Sequence, residues 1–315
     1  MTDWRPGAAP AALRARAQLL ADLRAFFDRQ GVVEVETPLL CRAGVTDPAL
    51  EPLTVATEEG ARFLQTSPEY AMKRLLAAGS GDIYQIAKAF RAGEVGRRHN
   101  PEYTLLEYYR LTIDHRGLAR EVAGLLCQLL SRDGWQVWPY RTLFRQLLEI
   151  DPFTDPLPQL HATAVQVAGE IPDDLDRDGL LDLLMSHAIE PALVDWGVVV
   201  VTDYPASQAA LARTAVVDGV VVGCRFECYV DGVELANGYW ELGDAHELRQ
   251  RFHEDNRRRQ TQGLAERPID EAMLAAHEAG LPPCAGVAIG VDRLLALQLG
   301  VRDIRAVLSF DWSRS

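Results

Sequence analysis

Leu13, Leu20 and Phe27 recur every seven positions, with Ala17 and Leu23 filling the same broad face. That spacing predicts a helix from about Ala11 to Gln30, closed by Gly31. Next, Val33 and Val35 alternate with Glu34 and Glu36, as in a strand over Gly31–Leu40. Pro38 stops that strand or marks it as an edge. The run Thr66-Ser67-Pro68-Glu69 opens a helix through Leu76. Ser67 or Thr66 suits the cap, Pro68 the first turn, and Glu69 the positive end of the dipole. Asp82–Phe90 reads as a strand. Residues 112–197 read as mainly helical, broken by the Pro-rich Asp151–Pro158 and the acidic Ile171–Asp178. This stretch is expected to be an insertion or peripheral layer.

From Val198 the period changes to two. Val198–Val201, Thr214–Val217, Val220–Val230 and Val233–Leu235 are β-rich runs, and Asp218-Gly219 and Asp231-Gly232 join the last three. Asp-Gly between such runs is a strong hairpin signal. The expected fold is therefore α+β, an antiparallel sheet flanked by helices. Neither a GxGxxG nor a GxxxxGK[ST] pattern is present, which removes the main support for doubly wound nucleotide folds.

A two-residue turn at Asp231-Gly232 sets a register. Val230 faces Val233, Tyr229 faces Glu234, and Glu227 faces Ala236. Glu227 and Glu234 then share one face as diagonal neighbours, roughly 7–8 Å apart at Cα. Two carboxylates so placed suit a Mg²⁺ ion shared with phosphate oxygens; a solvated sheet face is the other reading. Asn237-Gly238 is expected to break the strand and aim Asn237 and Glu241 elsewhere.

Phe90–Tyr109 adds chemistry. Arg91 follows a strand, Arg97, Arg98 and His99 sit in a loop, and Glu107 and Tyr109 lie two apart on the returning strand. Planar arginine forks suit phosphate oxygens. Glu107 and Tyr109, on one face, suit a small cationic ligand. Farther on, Ala285–Leu297 reads as a strand, then Gly290, then a helix beginning near Asp292 with Arg293 on its first turn.

Composition narrows the setting. The 315 residues carry 45 acidic and 32 basic side chains, a net charge of −13. That disfavours backbone binding of long nucleic acid. Cys41, Cys127, Cys224, Cys228 and Cys284 form no disulfide framework. The amino-terminal residues lack a signal-peptide core, and no apolar run approaches a membrane span. A reduced, cytoplasmic protein without membrane contact is expected.

Together these segments resemble the three signature motifs of class II aminoacyl-tRNA synthetases, in order: Gly31–Leu40, Phe90–Tyr109 and Gly286–Leu297. RHNPEYTLLEYY, the run Glu234–Leu242 and GVDR are similar to lysyl-tRNA synthetase forms. The resemblance spans nearly the whole chain from Arg14. It implies a single catalytic domain over 1–315, with the helical insertion at about 112–197, and through the first motif a homodimer. The anticodon-reading domain of lysyl-tRNA synthetases finds no room before the first motif. TSPEY with Ser67, and Pro205–Ala209 (PASQA), are similar to stand-alone paralogues of that family.

That resemblance implies ATP and Mg²⁺, activation of lysine or β-lysine as an adenylate, and elongation factor P as the acceptor in place of tRNA. Arg91 and Arg293 would be catalytic. Arg91, His99, Asn100, Tyr103, Glu234, Leu235, Gly290 and Arg293 would bind ATP, Tyr103 by stacking on adenine. Ser67, Glu69, Tyr109, Asn237 and Glu241 would bind the amino acid, with Glu69 on the α- or β-amino group and Glu241 and Tyr109 on the ε-ammonium. Glu227 and Glu234 would hold Mg²⁺. A free-standing lysine activator serving tRNA or a small amine, and a non-catalytic regulatory paralogue, are the alternatives. Two departures stand out: Arg91-Ala92-Gly93 replaces the usual Arg-Asn-Glu, and Trp240 stands where the paralogues carry His. Arg249, Arg251 and Arg257–Arg259 form a basic stretch, either a solvated helix face or a contact for the acceptor.

Overall fold

A computed structural model describes residues 4–315; residues 1–3 of the expected domain lie outside them. The chain divides into two compact units, one of residues 1–112, 242–284 and 288–315, the other of residues 113–241 and 285–287.

The first unit begins with helix α1 (Pro10–Asp28). It buries Ala12, Leu19, Leu23 and Phe27, while Leu13 is 39% exposed. The seven-residue spacing of Leu13 and Leu20 therefore marks the wrong face by one position. The stripe that packs follows the i, i+3/i+4 rule, with Ala12 as its first member. Phe27 stacks on Tyr84 at 4.3 Å and meets Tyr108 edge-on at 4.9 Å.

The expected ten-residue strand is broken in two, β1 (Val33–Glu34) and β2 (Leu40–Cys41). β1 pairs in parallel with β5 (Ile83–Phe90), and Val33 is 53% exposed. Alternation here does not bury its apolar residues, because β1 lies at a sheet edge. β2 joins β3 (Thr54–Thr57) and β4 (Gly60–Leu64) in a small sheet ordered β2-β4-β3. Helix α2 (Glu69–Ala77) starts one residue later than expected, with Pro68 itself at the cap position, and the Ser67 hydroxyl accepts the Glu69 N–H at 3.1 Å. β5 pairs antiparallel with β6 (Glu102–Leu111) along its whole length. Met72, Leu76, Ile83, Tyr109 and Cys284 form one buried cluster.

In the second unit, helix α3 (His115–Leu130) is capped by Asp114, whose carboxylate accepts the Gly117 N–H at 2.7 Å. The expected helical stretch also holds a strand, β7 (Trp135–Pro139), before α4 (Tyr140–Leu148), α5 (Leu157–Ala168), α6 (Arg177–Leu184) and α7 (Glu190–Ala192). β7 runs parallel to β8 (Val198–Pro205), which continues antiparallel to β10 (Val220–Val230). β9 (Thr214–Val217) and β11 (Val233–Trp240) flank β10 through the two hairpins. Both turns are as their Asp-Gly pairs require: Asp218 and Gly219 have φ of 47° and 77°, Asp231 and Gly232 of 49° and 71°, the left-handed pair of a type I′ turn. Tyr140, Phe144, Leu180, Leu184 and Ile189 pack on Val199, Val201 and Tyr229 of one sheet face. α3 packs across β8, β10 and β11.

The register prediction holds for two pairs and then fails. Val230 faces Val233 and Tyr229 faces Glu234, but Cys228 faces Ala236 and Glu227 faces Asn237. Leu235 is the extra residue of a β-bulge. The Asn237-Gly238 pair continues β11 instead of ending it. Gly238 is required there by close approach, since a Cβ would lie 2.4 Å from the Phe226 ring and 2.9 Å from the Gly286 carbonyl.

The chain then returns to the first unit with α8 (Ala245–Thr261) and α9 (Glu271–Gly280). β12 (Cys284–Gly290) follows, its residues 285–287 counting with the second unit, and leads into α10 (Val291–Gln298). All five cysteines are free thiols, as expected. Among the described residues no helix is long and apolar enough to cross a membrane.

Candidate active site

In the first unit the β5–β6 connection carries the phosphate-binding candidates. Arg91 is tied by its N–H to the Pro101 carbonyl at 2.9 Å. Its guanidinium lies 5.4 Å from the Tyr103 ring and 3.6 Å from the Glu94 carboxylate. Gly93 takes φ of +79°, a conformation costly for a residue with a Cβ. That reversal is what brings Glu94 back to Arg91, one residue later than the family pattern places a glutamate. The next N–H, of Ala92, donates to the Glu51 carbonyl at 2.7 Å.

Arg293, on the first turn of α10, donates from Nη2 to His99 Nε2 at 2.7 Å and from Nε to the Arg98 carbonyl at 3.2 Å. A guanidinium only donates, so His99 accepts as the neutral ring. His99 keeps an open edge, yet desolvation and then the charges of Arg293, Arg91 and Arg98 hold its pKa below the ordinary histidine value. Asp292, beside Arg293 and missed in the sequence, accepts the Thr104 N–H at 2.8 Å and Arg16 Nη2 at 2.5 Å. It thereby pins α10 to β6 and α1. Tyr103 donates to the Thr66 carbonyl at 2.8 Å, and burial pushes its hydroxyl up to about 12. Asn100 is fixed at both ends of its amide, which donates to the Glu102 carbonyl at 2.6 Å and accepts from the Trp312 N–H at 2.9 Å; a second N–H and a second lone pair are left over for a ligand.

On β6 the side chain of Glu107, only 2% exposed, accepts from Ser67 Oγ at 2.7 Å and from the Tyr109 hydroxyl at 2.8 Å. This gathers Ser67 and Tyr109 around a carboxylate that family roles left unassigned. The signal for it was present, since Glu107 alternates into the same face as Tyr109. Glu69 sits one helical turn from Lys73, a fully buried lysine whose Nζ donates to it at 2.6 Å. A buried ammonium needs such a partner, and the pair fixes the position of the Glu69 carboxylate.

In the second unit Glu227 is the hub. Its carboxylate accepts from the Tyr204 hydroxyl at 2.6 Å, from the Tyr229 hydroxyl, and from Arg225 Nη2. Burial holds both tyrosine hydroxyls far above their ordinary pKa, so they remain donors. Arg225 also donates to the Gln208 carbonyl at 2.8 Å and to the Asn237 amide oxygen at 3.2 Å. The bulge makes this possible. Regular alternation would turn Asn237 away, but the extra Leu235 returns Asn237, Tyr239 and, by continued alternation, Glu241 to the face of Glu227 and Glu234. The sequence run Glu-Leu-Ala-Asn, with polar residues three apart in a strand, was the available signal. Leu235 itself is buried within β11.

Among the described residues no group of three or more His, Cys, Asp or Glu is arranged to hold a metal ion. Two carboxylates on one sheet face, one of them already accepting three donors, supply few protein oxygens. That donor set fits Mg²⁺, which keeps water or phosphate oxygens in most of its positions.

Two open readings are narrowed. The basic stretch of α8 is not a free cationic face: Arg249 pairs with Glu271 at 2.7 Å, Arg251 with Glu247 at 2.5 Å, and Arg257 and Arg258 with Glu254. Arg259 is fully buried, bonding Glu51 and the Ala265 carbonyl, each at 2.7 Å. Carboxylates one helical turn away pair with Arg251, Arg257 and Arg258, and distant ones with Arg249 and Arg259. Trp240 faces the side covered by α3, with its ring stacked on His115 at 6.3 Å.

The chain belongs to the class II tRNA synthetases of the D, K and N group, whose family pattern matches residues 1–313. Within it, the chain is 44% identical to an elongation factor P–(R)-β-lysine ligase of Pectobacterium atrosepticum over 322 residues, covering 100% of this chain and 99% of that protein. The ligases of the same name from Edwardsiella ictaluri (44% over 323 residues, covering 100% and 99%) and Proteus mirabilis (45% over 318 residues, covering 98% and 98%) are similarly close. Class II membership implies use of ATP.

Proposed function

We propose that this chain is an ATP-dependent ligase that activates β-lysine as an adenylate and joins it to a lysine side chain of elongation factor P. The observation that carries this reading is the buried Glu107 carboxylate gripped by Ser67 and Tyr109. A buried carboxylate held in place by two hydroxyl donors suits an ammonium-bearing substrate and not an apolar one. The whole-length similarity to ligases of that name supports the acceptor.

The substrate carboxylate attacks the α-phosphorus of ATP. A C–O–P bond forms, the α–β bond breaks, and pyrophosphate leaves. Arg91 stabilises charge at the α-phosphate, and Arg293, backed by neutral His99, stabilises it toward the γ-phosphate. Tyr103 takes the adenine. Asn237 steadies the substrate carboxylate, Glu69 its α- or β-amino group, and Tyr109 with Glu241 its far ammonium. Glu227 and Glu234 would hold Mg²⁺, which supplies charge neutralisation at phosphate. The acceptor amine then attacks the acyl carbon, an amide forms, and AMP leaves with the proton lost by the amine. Gly290 leaves room for the nucleotide. One catalytic domain, a homodimer and a cytoplasmic setting belong to this reading.

Incubation of purified elongation factor P with the protein, ATP and each lysine isomer, followed by intact-mass spectrometry, tests it. A single adduct of β-lysine mass is expected. Lysine-dependent pyrophosphate exchange without an adduct would refute the acceptor, and charging of bulk tRNA would replace it.

A further inference from the structure

We propose that Arg213 is a positioning residue for Glu241, and through it sets affinity for the amino-acid substrate; this rests on the reading of Glu241 as an ammonium-binding carboxylate. A backbone bridge, of which the Arg213 N–H bond is part, and one side-chain bond join the two positions. Ala212 forms an isolated antiparallel bridge with Glu241. The Arg213 N–H donates to the Trp240 carbonyl at 2.9 Å. The Arg213 Nε donates to the Glu241 carbonyl at 2.8 Å. A side-chain bond to a main-chain oxygen fixes the backbone of residue 241 itself, and with it the direction of its side chain.

The guanidinium is in turn held in place. It lies 4.9 Å from the centroid of the Trp240 ring, within the range of a cation–π contact. Trp240 stacks on His115 of α3, with ring planes 19° apart. His115 lies 3.8 Å from the buried Asp203, which Arg116 also engages at 2.8 Å. Arg213 is thus clamped between a ring anchored to α3 and the strand end that carries Glu241. β11 ends at Trp240, so ladder bonds alone no longer hold the next residue, which is where an extra restraint has most effect.

This gives the Trp at position 240 a role without placing it against substrate. It is the platform for Arg213. Lysine in place of Arg213 keeps the charge and can lie over the ring, but lacks the planar fork that reaches the Glu241 carbonyl.

The test measures pyrophosphate exchange with ATP and β-lysine for the full chain and for Arg213→Ala, Arg213→Lys, Trp240→Phe and Glu241→Gln. Arg213→Ala is expected to raise KM for β-lysine about tenfold, with kcat and KM for ATP within about twofold, because a misdirected ligand weakens binding of one substrate only. Arg213→Lys and Trp240→Phe are expected to show the same selective shift, smaller. Equal KM for β-lysine in folded Arg213→Lys and wild type, or a parallel loss for both substrates, would overturn the proposal. If Arg213→Ala does not fold, Arg213→Lys decides. Glu241→Gln separates the two levels. Exchange unchanged in that variant removes the underlying reading, whereas lost exchange with normal Arg213 variants removes only this inference.

Discussion

The β5–β6 connection and the carboxylate faces of the strands are built in opposite ways. Arg91, Arg97, Arg98, His99 and Arg293 sit on a loop and a helix end, partly open to solvent. Arg293 meets a main-chain carbonyl and the neutral imidazole of His99, and Arg91 meets the displaced Glu94. Glu107 and Glu227 sit inside strands, nearly inaccessible, with two and three side-chain donors each. The difference follows from solvation. A guanidinium is weakly hydrated and always charged, so it can wait near the surface for an anion. A buried carboxylate is tolerated only when donors replace its water. On the proposed roles, the groups that would meet phosphate stay available at the surface, and the carboxylates that would meet an ammonium or Mg²⁺ are held in place beforehand.

The largest expected effect comes from the open side. Arg293→Ala should lower kcat for pyrophosphate exchange by about 10²–10³-fold, the usual cost of removing a donor to developing charge. A drop of less than about fivefold would show that this arginine only supports His99. On the closed side, Glu107→Gln should raise KM for β-lysine by about 10- to 100-fold, since a charge-assisted contact is lost in a desolvated place. An unchanged KM would mean that Glu107 serves only to orient Ser67 and Tyr109. Gly238→Ala should destabilise the chain by about 1–3 kcal/mol, because Phe226 and a carbonyl occupy the space a Cβ needs; a thermal melt within error of wild type would contradict the packing there.

The smallest effect is one of pH. His277 is buried, and desolvation, then the charge of Lys73, lowers its pKa below the ordinary histidine value. A histidine whose folded pKa is depressed contributes stability that is present above its unfolded pKa and lost as pH falls through the folded one. Stability should therefore decline below about pH 6.5, and His277→Gln should flatten that decline by a fraction of a kcal/mol. An identical slope in the variant would place the acid sensitivity elsewhere.

Much of both regions was legible from residue order. The Asp-Gly turns, the strand that returns with Glu107 and Tyr109, and the helix carrying Arg293 formed where local pattern placed them, and the helix after Ser67-Pro68 began one residue late. Three features were not legible. The helix α1 stripe was read correctly at Leu23 and Phe27 but one position off at Leu13 and Leu20, where Ala12 and Leu19 are the buried residues, since two overlapping apolar rows compete in Leu-rich sequence. β7 was absorbed into a helical stretch, because a five-residue strand without alternation is defined by its partner β8. The arginines of α8 looked cationic until their acidic partners, some of them distant in sequence, were in place.

Sequence alone determined the chemistry present and the turns that fold it, because φ preferences and residue types act over a few neighbours. Whether Asn237 and Glu241 join the face of Glu227 was not settled at that range. A single extra residue in β11 reverses every side chain after it, and both registers satisfy the Asp231-Gly232 turn. Buried Leu235 and Ala236, the close approach at Gly238 and the Arg225 network lie with the bulged one. That choice belongs to the tertiary structure, since it depends on contacts with strands and loops far away in the chain.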